Sequence, residues 1–255
     1  MLKSYLKYRF KSVNAHGLHS PFVYEFYTKV VKSAKKRNEN RIEKLRKSLI
    51  KDQSIVEVSD LGAGSKSSKS TQRKINEITK SASIPPKFGR LIQAIIGFYN
   101  CKELLELGTS MGIGSAYMVS ASNSPRLTTI EGCPNIAAKA KANFDALNLD
   151  NIDLLIGDFD TVLGNKINPD KIFDLIYIDG NHAYEPTMRY FEFALKHTDE
   201  DSFIVFDDIY WSDGMTKAWE EIKKLDKIHV SMDLFRMGIV CKKQKQRKQD
   251  FILKY

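Results

Sequence analysis

A chain of 255 residues with 42% hydrophobic and 28% charged content is long enough for one substantial α/β core, and too apolar for a disordered chain. No apolar run reaches the ~18 residues that a spanning helix needs. Lys3, Lys7, Arg9 and Lys11 interrupt the N-terminal apolar positions, so neither a transmembrane segment nor a secretory leader is expected, and cytoplasmic residence is. The formal charge of +9 is uneven: residues 1–80 hold 19 Lys and Arg against 7 Asp and Glu, a net of +12, whereas the remainder is net −3.

The first third reads as a basic, helical arm. Leu2, Tyr5, Leu6 and Phe10 share one helical face, and Ser20-Pro21 is a helix start for residues 22–31, by side-chain capping and by the fixed φ of proline. Tyr8, Phe22, Tyr24, Phe26 and Tyr27 add aromatic surface that docks these helices on a core or covers a neighbouring pocket. His16 and His19 are read as loop residues. Residues 39–51 form a solvated helix with Ile42, Leu45 and Leu49 as its apolar stripe.

Asp60-Leu61-Gly62-Ala63-Gly64-Ser65 imitates a nucleotide loop after the short run 55–58. It lacks an apolar helix face behind it, and its lysine and hydroxyl do not follow a P-loop spacer, so it is read as a loop, with a lid over the cofactor as one role for it. Pro85-Pro86 then opens a helix over 90–99.

Residues 104–115, Leu-Leu-Glu-Leu-Gly-Thr-Ser-Met-Gly-Ile-Gly-Ser, carry the main signal: an apolar strand, a glycine-spaced turn, and a helix face of Ile113, Ala116, Tyr117 and Met118. The order G-x-x-x-G-x-G is not the dinucleotide pattern G-x-G-x-x-G. A second strand ends in Glu131, 23 residues after Gly108, and is followed by Gly132. A helix over 135–147 and a strand over 152–156 lead to Gly157-Asp158-Phe159, where Asp158 either meets a ligand or caps a short helix. The fourth run, 173–178, ends in Asp179-Gly180-Asn181-His182, and the fifth, 202–206, in Asp207-Asp208. Adjacent acids at strand ends repel one another unless a cation is present, and a divalent ion such as Mg²⁺ is the counter-charge expected here. Runs 228–232 and 235–241 lie too close together for a helical crossover and predict an antiparallel pair. Cys101, Cys133 and Cys241 show no metal spacing and read as small apolar residues.

Acidic-x-Gly-x-x-x-Gly, with Glu106, Gly108 and Gly112 at those positions and Glu131 ending the next strand, resembles the class I S-adenosylmethionine-dependent methyltransferases. Asp179 with Asp207 and Asp208 resembles their metal-dependent O-methyltransferase branch, of the catechol and macrolide-sugar type. The resemblance covers about 85–242, leaving 1–84 as an arm and 243–255 as a basic tail. It implies a Rossmann-like, doubly wound, mostly parallel seven-stranded sheet with an antiparallel last strand, preceded by a helical segment. It implies S-adenosylmethionine bound by Glu106, Gly108, Thr109, Ser110, Gly112, Ser115, Glu131, Gly132, Asp158, Phe159 and Asp179, with Glu131 gripping the ribose and Asp158 and Phe159 flanking the adenine. Asp179, Asp207 and Asp208 become the metal ligands. The sugar enzymes have a second Asp where Asn181 stands, and the lysine of the catechol type has no counterpart. His182, with an ordinary pKa near ~6.5, is then either the general base or a residue that orients its loop or stacks on the cofactor.

The expected function is O-methylation of a small-molecule acceptor. Two alternatives stay open: an RNA or DNA methyltransferase using the basic arm, and a non-catalytic module that binds S-adenosylmethionine. The oligomeric state is open, a homodimer included.

Overall fold

The computed structural model describes residues 2–59 and 71–255, the side chains from residue 4 onward. The Asp60 to Ser65 loop and its lid role therefore lie outside the described residues. The described chain forms two compact units: residues 34–168, and residues 1–33 together with 169–255. This differs from a division at residue 84, because the first helices pack with the C-terminal half of the chain and the later part of the arm with the chain up to residue 168.

In the unit formed by both ends of the chain, α1 (Leu2–Lys11) is followed by α2 (Pro21–Glu25), which runs on through a π-helical turn, Phe26–Val31, into α3 (Lys32–Ala34). The Ser20 hydroxyl caps α2 by accepting from the Val23 N–H, as expected of Ser-Pro. The apolar face expected of α1 is not the buried one. Phe10 is 89% exposed and Leu6 49%, whereas Tyr8 is 4% exposed. Its hydroxyl donates to the Leu253 carbonyl at 2.6 Å and accepts from the Tyr255 N–H at 3.2 Å, so a polar tip with two partners decides which side turns inward. His16 and His19 are exposed.

The unit 34–168 contains α4 (Asn40–Leu49), a two-stranded antiparallel hairpin of β1 (Ile55–Glu57) and β2 (Gln72–Lys74), α5 (Ile75–Ala82) and α6 (Pro86–Phe98). Its parallel sheet comprises β3 (Glu103–Leu107), β4 (Arg126–Glu131) and β5 (Ile152–Ile156). α7 (Ile113–Val119), α8 (Pro134–Leu147) and α9 (Phe159–Asn165) alternate with these strands. Buried on both faces, Leu104, Leu105 and Leu107 make β3 a continuous apolar run, as a central parallel strand requires.

The C-terminal half carries β6 (Leu175–Ile178), α10 (Tyr184–Lys196), β7 (Phe203–Phe206), α11 (Asp213–Lys224), β8 (Val230–Asp233), β9 (Gly238–Cys241) and β10 (Gln249–Ile252). β6 and β7 are parallel, β9 runs antiparallel to both β7 and β8, and β10 is parallel to β8. The fold is Rossmann-like α/β with mostly parallel strands, as expected. One strand among the described residues, β10, was not expected. The basic tail folds because Leu253 is fully buried and its carbonyl is the acceptor for Tyr8. No helix among the described residues is long and apolar enough to cross a membrane.

Candidate active site

The glycine loop lies between β3 and α7 and is shaped by backbone conformations that few residues adopt. Gly108, Ser110 and Gly112 have φ of 106°, 49° and 76°. Gly112 is fixed twice over: its left-handed φ disfavours any side chain, and a Cβ there would collide with the Phe144 ring on α8.

Glu131 ends β4 facing this loop. One carboxylate oxygen accepts from the Ser110 N–H at 2.9 Å and the other from the Cys133 N–H at 3.0 Å. Burial raises its pKa, while these bonds and one from the Gly132 N–H oppose the rise. The Ser110 hydroxyl is buried with no hydrogen-bond partner among the described residues. A half-buried carboxylate with lone pairs to spare and an unused hydroxyl, beside backbone kept clear of Cβ atoms, fit a polyhydroxylated ligand.

The other loop residues expected to touch cofactor have a different place. Glu106 is 1% exposed; it accepts from the Thr129 hydroxyl at 2.6 Å and from the Ser115 hydroxyl. Thr109 bonds Thr129 side chain to side chain at 2.7 Å. These residues form an internal clamp joining β3, β4 and α7. Burial pushes the Glu106 carboxyl up to about 7 despite the two hydroxyl bonds. Asp158 caps α9, accepting from the Thr161 N–H at 2.8 Å, which is the structural alternative read from the sequence; Phe159 is the first residue of that helix.

In the other unit, Asp179 and His182 follow β6, and Asp207 and Asp208 follow β7. The His182 imidazole lies 3.6 Å from the Asp179 carboxylate, and burial lowers its pKa, so it is neutral at neutral pH. Its loop is pinned by the Ser212 hydroxyl, which donates to the His182 carbonyl at 2.6 Å and caps α11 by accepting from Met215 N–H. Asp207 is fully buried, and Asp208 has a φ of 51°.

The counter-charge expected of a divalent ion comes from Arg236. Its Nε lies 3.2 and 3.1 Å from the two Asp207 oxygens, and its Nη2 lies 2.8 Å from Asp207 Oδ2 and 3.2 Å from Asp208 Oδ2. Burial works against the Arg236 charge, but the two carboxylates outweigh it and hold the guanidinium charged. Burial, followed by the Asp207 charge, lifts the Asp208 carboxyl to about 6. No three His, Cys, Asp or Glu side chains are gathered for a metal ion among the described residues. Asp179, Asp207 and Asp208 thus do not present the donor set of a divalent site, because two of them are already engaged by a guanidinium.

Arg236 and its supports escaped the sequence reading. It sits in the turn between β8 and β9 beside Phe235, whose φ is 70° and whose N–H donates to Asp233 at 2.7 Å. Asp233 also accepts from the Tyr210 hydroxyl. The one signal was an arginine inside the otherwise apolar run 235–241.

Fold and site together define an α/β chain with a glycine loop and an acid-ended second strand. Residues 105–209 match the family model of a methyltransferase domain, over the stretch that carries the sequence resemblance. A catechol O-methyltransferase of Niastella koreensis is 30% identical over 130 residues; the match spans 50% of this chain and 58% of that protein. Among solved structures, the O-methyltransferase of Bacillus cereus, in complex with SAH, superposes with a TM-score of 0.61 at 18% identity, covering 86% of this chain and 99% of that one. The SAH-bound methyltransferase PaMTH1 of Podospora anserina gives 0.62 at 14% identity, covering 92% and 100%.

Proposed function

We propose that this protein is an S-adenosylmethionine-dependent methyltransferase that methylates a hydroxyl oxygen of a small molecule. The observation that carries the reading is the hydrogen bond between Glu131 and the Ser110 N–H, which ties the glycine loop to an acid-ended strand inside the stretch matching a methyltransferase domain.

In this reading Glu131, half-buried and ionised, accepts from the ribose hydroxyls through charge-assisted hydrogen bonds. Gly108, Gly112 and Gly132 let the backbone approach, Ser110 supplies its unused hydroxyl, and Asp158 and Phe159 flank the adenine. Glu106, Thr109 and Ser115 hold the loop in shape. When bound there, S-adenosylmethionine would supply an electrophilic methyl carbon with a neutral thioether as leaving group, and the loop residues would align it with the acceptor oxygen. His182, kept neutral by burial, accepts the hydroxyl proton, and Asp179 beside it stabilises the imidazolium that results. The name of the Niastella koreensis relative supports an aromatic hydroxyl as acceptor. Divalent-ion assistance has no part in the proposal, since Arg236 occupies the acids that would supply it. The nucleic-acid reading rests on the charge of residues 1–80 alone.

The test is calorimetric titration of the full chain with S-adenosylmethionine and S-adenosylhomocysteine. Saturable binding that Glu131→Ala greatly weakens supports the reading; no binding to the parent protein removes it.

A further inference from the structure

Beside the acid pair lies a cavity of ≈ 130 Å³ lined by Asp208, Tyr210, Trp211, Phe235 and Arg236. Three of its five walls are aromatic. The Tyr210 and Phe235 rings stack at 5.4 Å between centroids, and the Tyr210 hydroxyl is fixed by Asp233. Its size is that of a single ring, since an apolar cavity of about 150 Å³ admits benzene. Its polar wall is unusual. Arg236 spends Nε and Nη2 on Asp207 and Asp208, leaving Nη1 with no protein acceptor among the described residues, while the side chain keeps 26% of its surface exposed. A guanidinium clamped on one edge is a preorganised donor on the other, because its planar fork cannot reorient without breaking the clamp.

We propose that Arg236, clamped by Asp207 and Asp208, is the resident cation of this aromatic-walled pocket, and that its Nη1 binds and orients the oxygen of a single-ring aromatic hydroxyl compound in place of a divalent ion. The inference rests on the methyl-transfer reading for its purpose, but the binding step stands without cofactor. A flat ring packs against Tyr210, Trp211 and Phe235, and its hydroxyl oxygen accepts from Nη1.

The experiment is a titration of the full chain with catechol, read by tryptophan fluorescence, with Trp211→Phe assigning the signal to the cavity wall. It is run in EDTA and in Mg²⁺, without S-adenosylmethionine. Saturable quenching of equal midpoint in both is expected, with Arg236→Gln shifting the midpoint at least about tenfold, the scale of one lost charge-assisted hydrogen bond. Arg236→Lys restores part of the loss, as a point charge without the fork. In parallel, Mn²⁺ titration followed by electron paramagnetic resonance should show no stoichiometric site in the parent protein. The proposal is overturned by catechol binding that requires Mg²⁺, by a stoichiometric Mn²⁺ site, by no catechol binding, or by unchanged affinity in a folded Arg236→Gln protein. Binding of S-adenosylmethionine, measured separately, decides the methyl-transfer reading: its loss leaves the catechol result standing, and the converse holds.

Discussion

The guanidinium of Arg236 lies against the carboxylate of Asp207, with Nη2 2.8 Å and Nε 3.1 Å from the same oxygen. One partner is fully buried and the other only partly, so the pair draws on a low-dielectric setting while its cation remains in reach of water. That asymmetry sets the cost of breaking it.

Asp207→Ala leaves the Arg236 charge without its main partner. Removal of one member of a buried pair typically costs about 3–5 kcal/mol, and the exposure of Arg236 lowers the expectation here to about 2–3 kcal/mol. Urea unfolding measures it; a loss below about 0.5 kcal/mol, the scale of an ordinary surface substitution, would show that the pair does not hold the β8–β9 turn.

Gly112→Ala meets two penalties together, the left-handed φ and the collision with Phe144. Strain and overpacking of this kind each cost about 1–3 kcal/mol, so a loss of about 2–5 kcal/mol is expected. Adding Phe144→Ala removes the steric part but not the backbone part. Phe144 is itself a buried core ring, so Phe144→Ala is measured alone as well; thermal unfolding of the two single variants and the double completes the cycle, and a Gly112→Ala cost as large in the Phe144→Ala background as in the parent would assign the whole cost to φ.

Glu106 has a folded pKa of about 7 against an ordinary value of 4.5. The folded state therefore holds this proton more tightly than the unfolded state. The stabilisation is fully present below about pH 4.5, is lost as pH rises through about 7, and is absent above it. Glu106→Gln removes the titration and keeps an acceptor for Ser115 and Thr129. Between pH 5 and 8 the parent protein should lose roughly 2–3 kcal/mol relative to this variant. Parallel stability curves for the two proteins would contradict the assignment.

Tyr8→Phe removes the donor to the Leu253 carbonyl and the acceptor for the Tyr255 N–H. A loss of about 1–2 kcal/mol and faster proteolytic trimming of the C-terminus are expected. Unchanged trimming would mean that the C-terminus is held by the pairing of β10 with β8 and by the bonds of Val13 and Tyr27 to residues 252–254, without need of Tyr8.

What the sequence revealed, and what it concealed, follows from the range of the interactions. β3, β4 and the Gly112 turn were legible because an apolar run, a terminal acid and a glycine are local signals, as was Ser20 as a helix cap. Asp158 was legible only as a choice, since the same carboxylate in the same turn serves cap or ligand; the structure shows the cap, through Oδ1, and the ligand role is the one proposed above. Glu106 was read as facing the cofactor because its motif is linear, whereas its partner Thr129 lies on the next strand. Arg236 was concealed for the same reason: 28 residues separate it from Asp208, and only the return of β9 alongside β7 brings them together. The exposed Phe10 and buried Tyr8 reversed a helical face because periodicity counts apolar residues and overlooks a hydroxyl with two backbone partners.

The measurement that bears most directly on the central claim is transfer of an isotopically labelled methyl group from S-adenosylmethionine to catechol by the full chain in EDTA, with the Glu131→Ala protein alongside. The parent protein should form a labelled methyl ether in step with S-adenosylhomocysteine, and the variant should show a severe loss. Label appearing in neither catechol nor any other hydroxyl acceptor, while S-adenosylmethionine binds the parent protein, would contradict the claim.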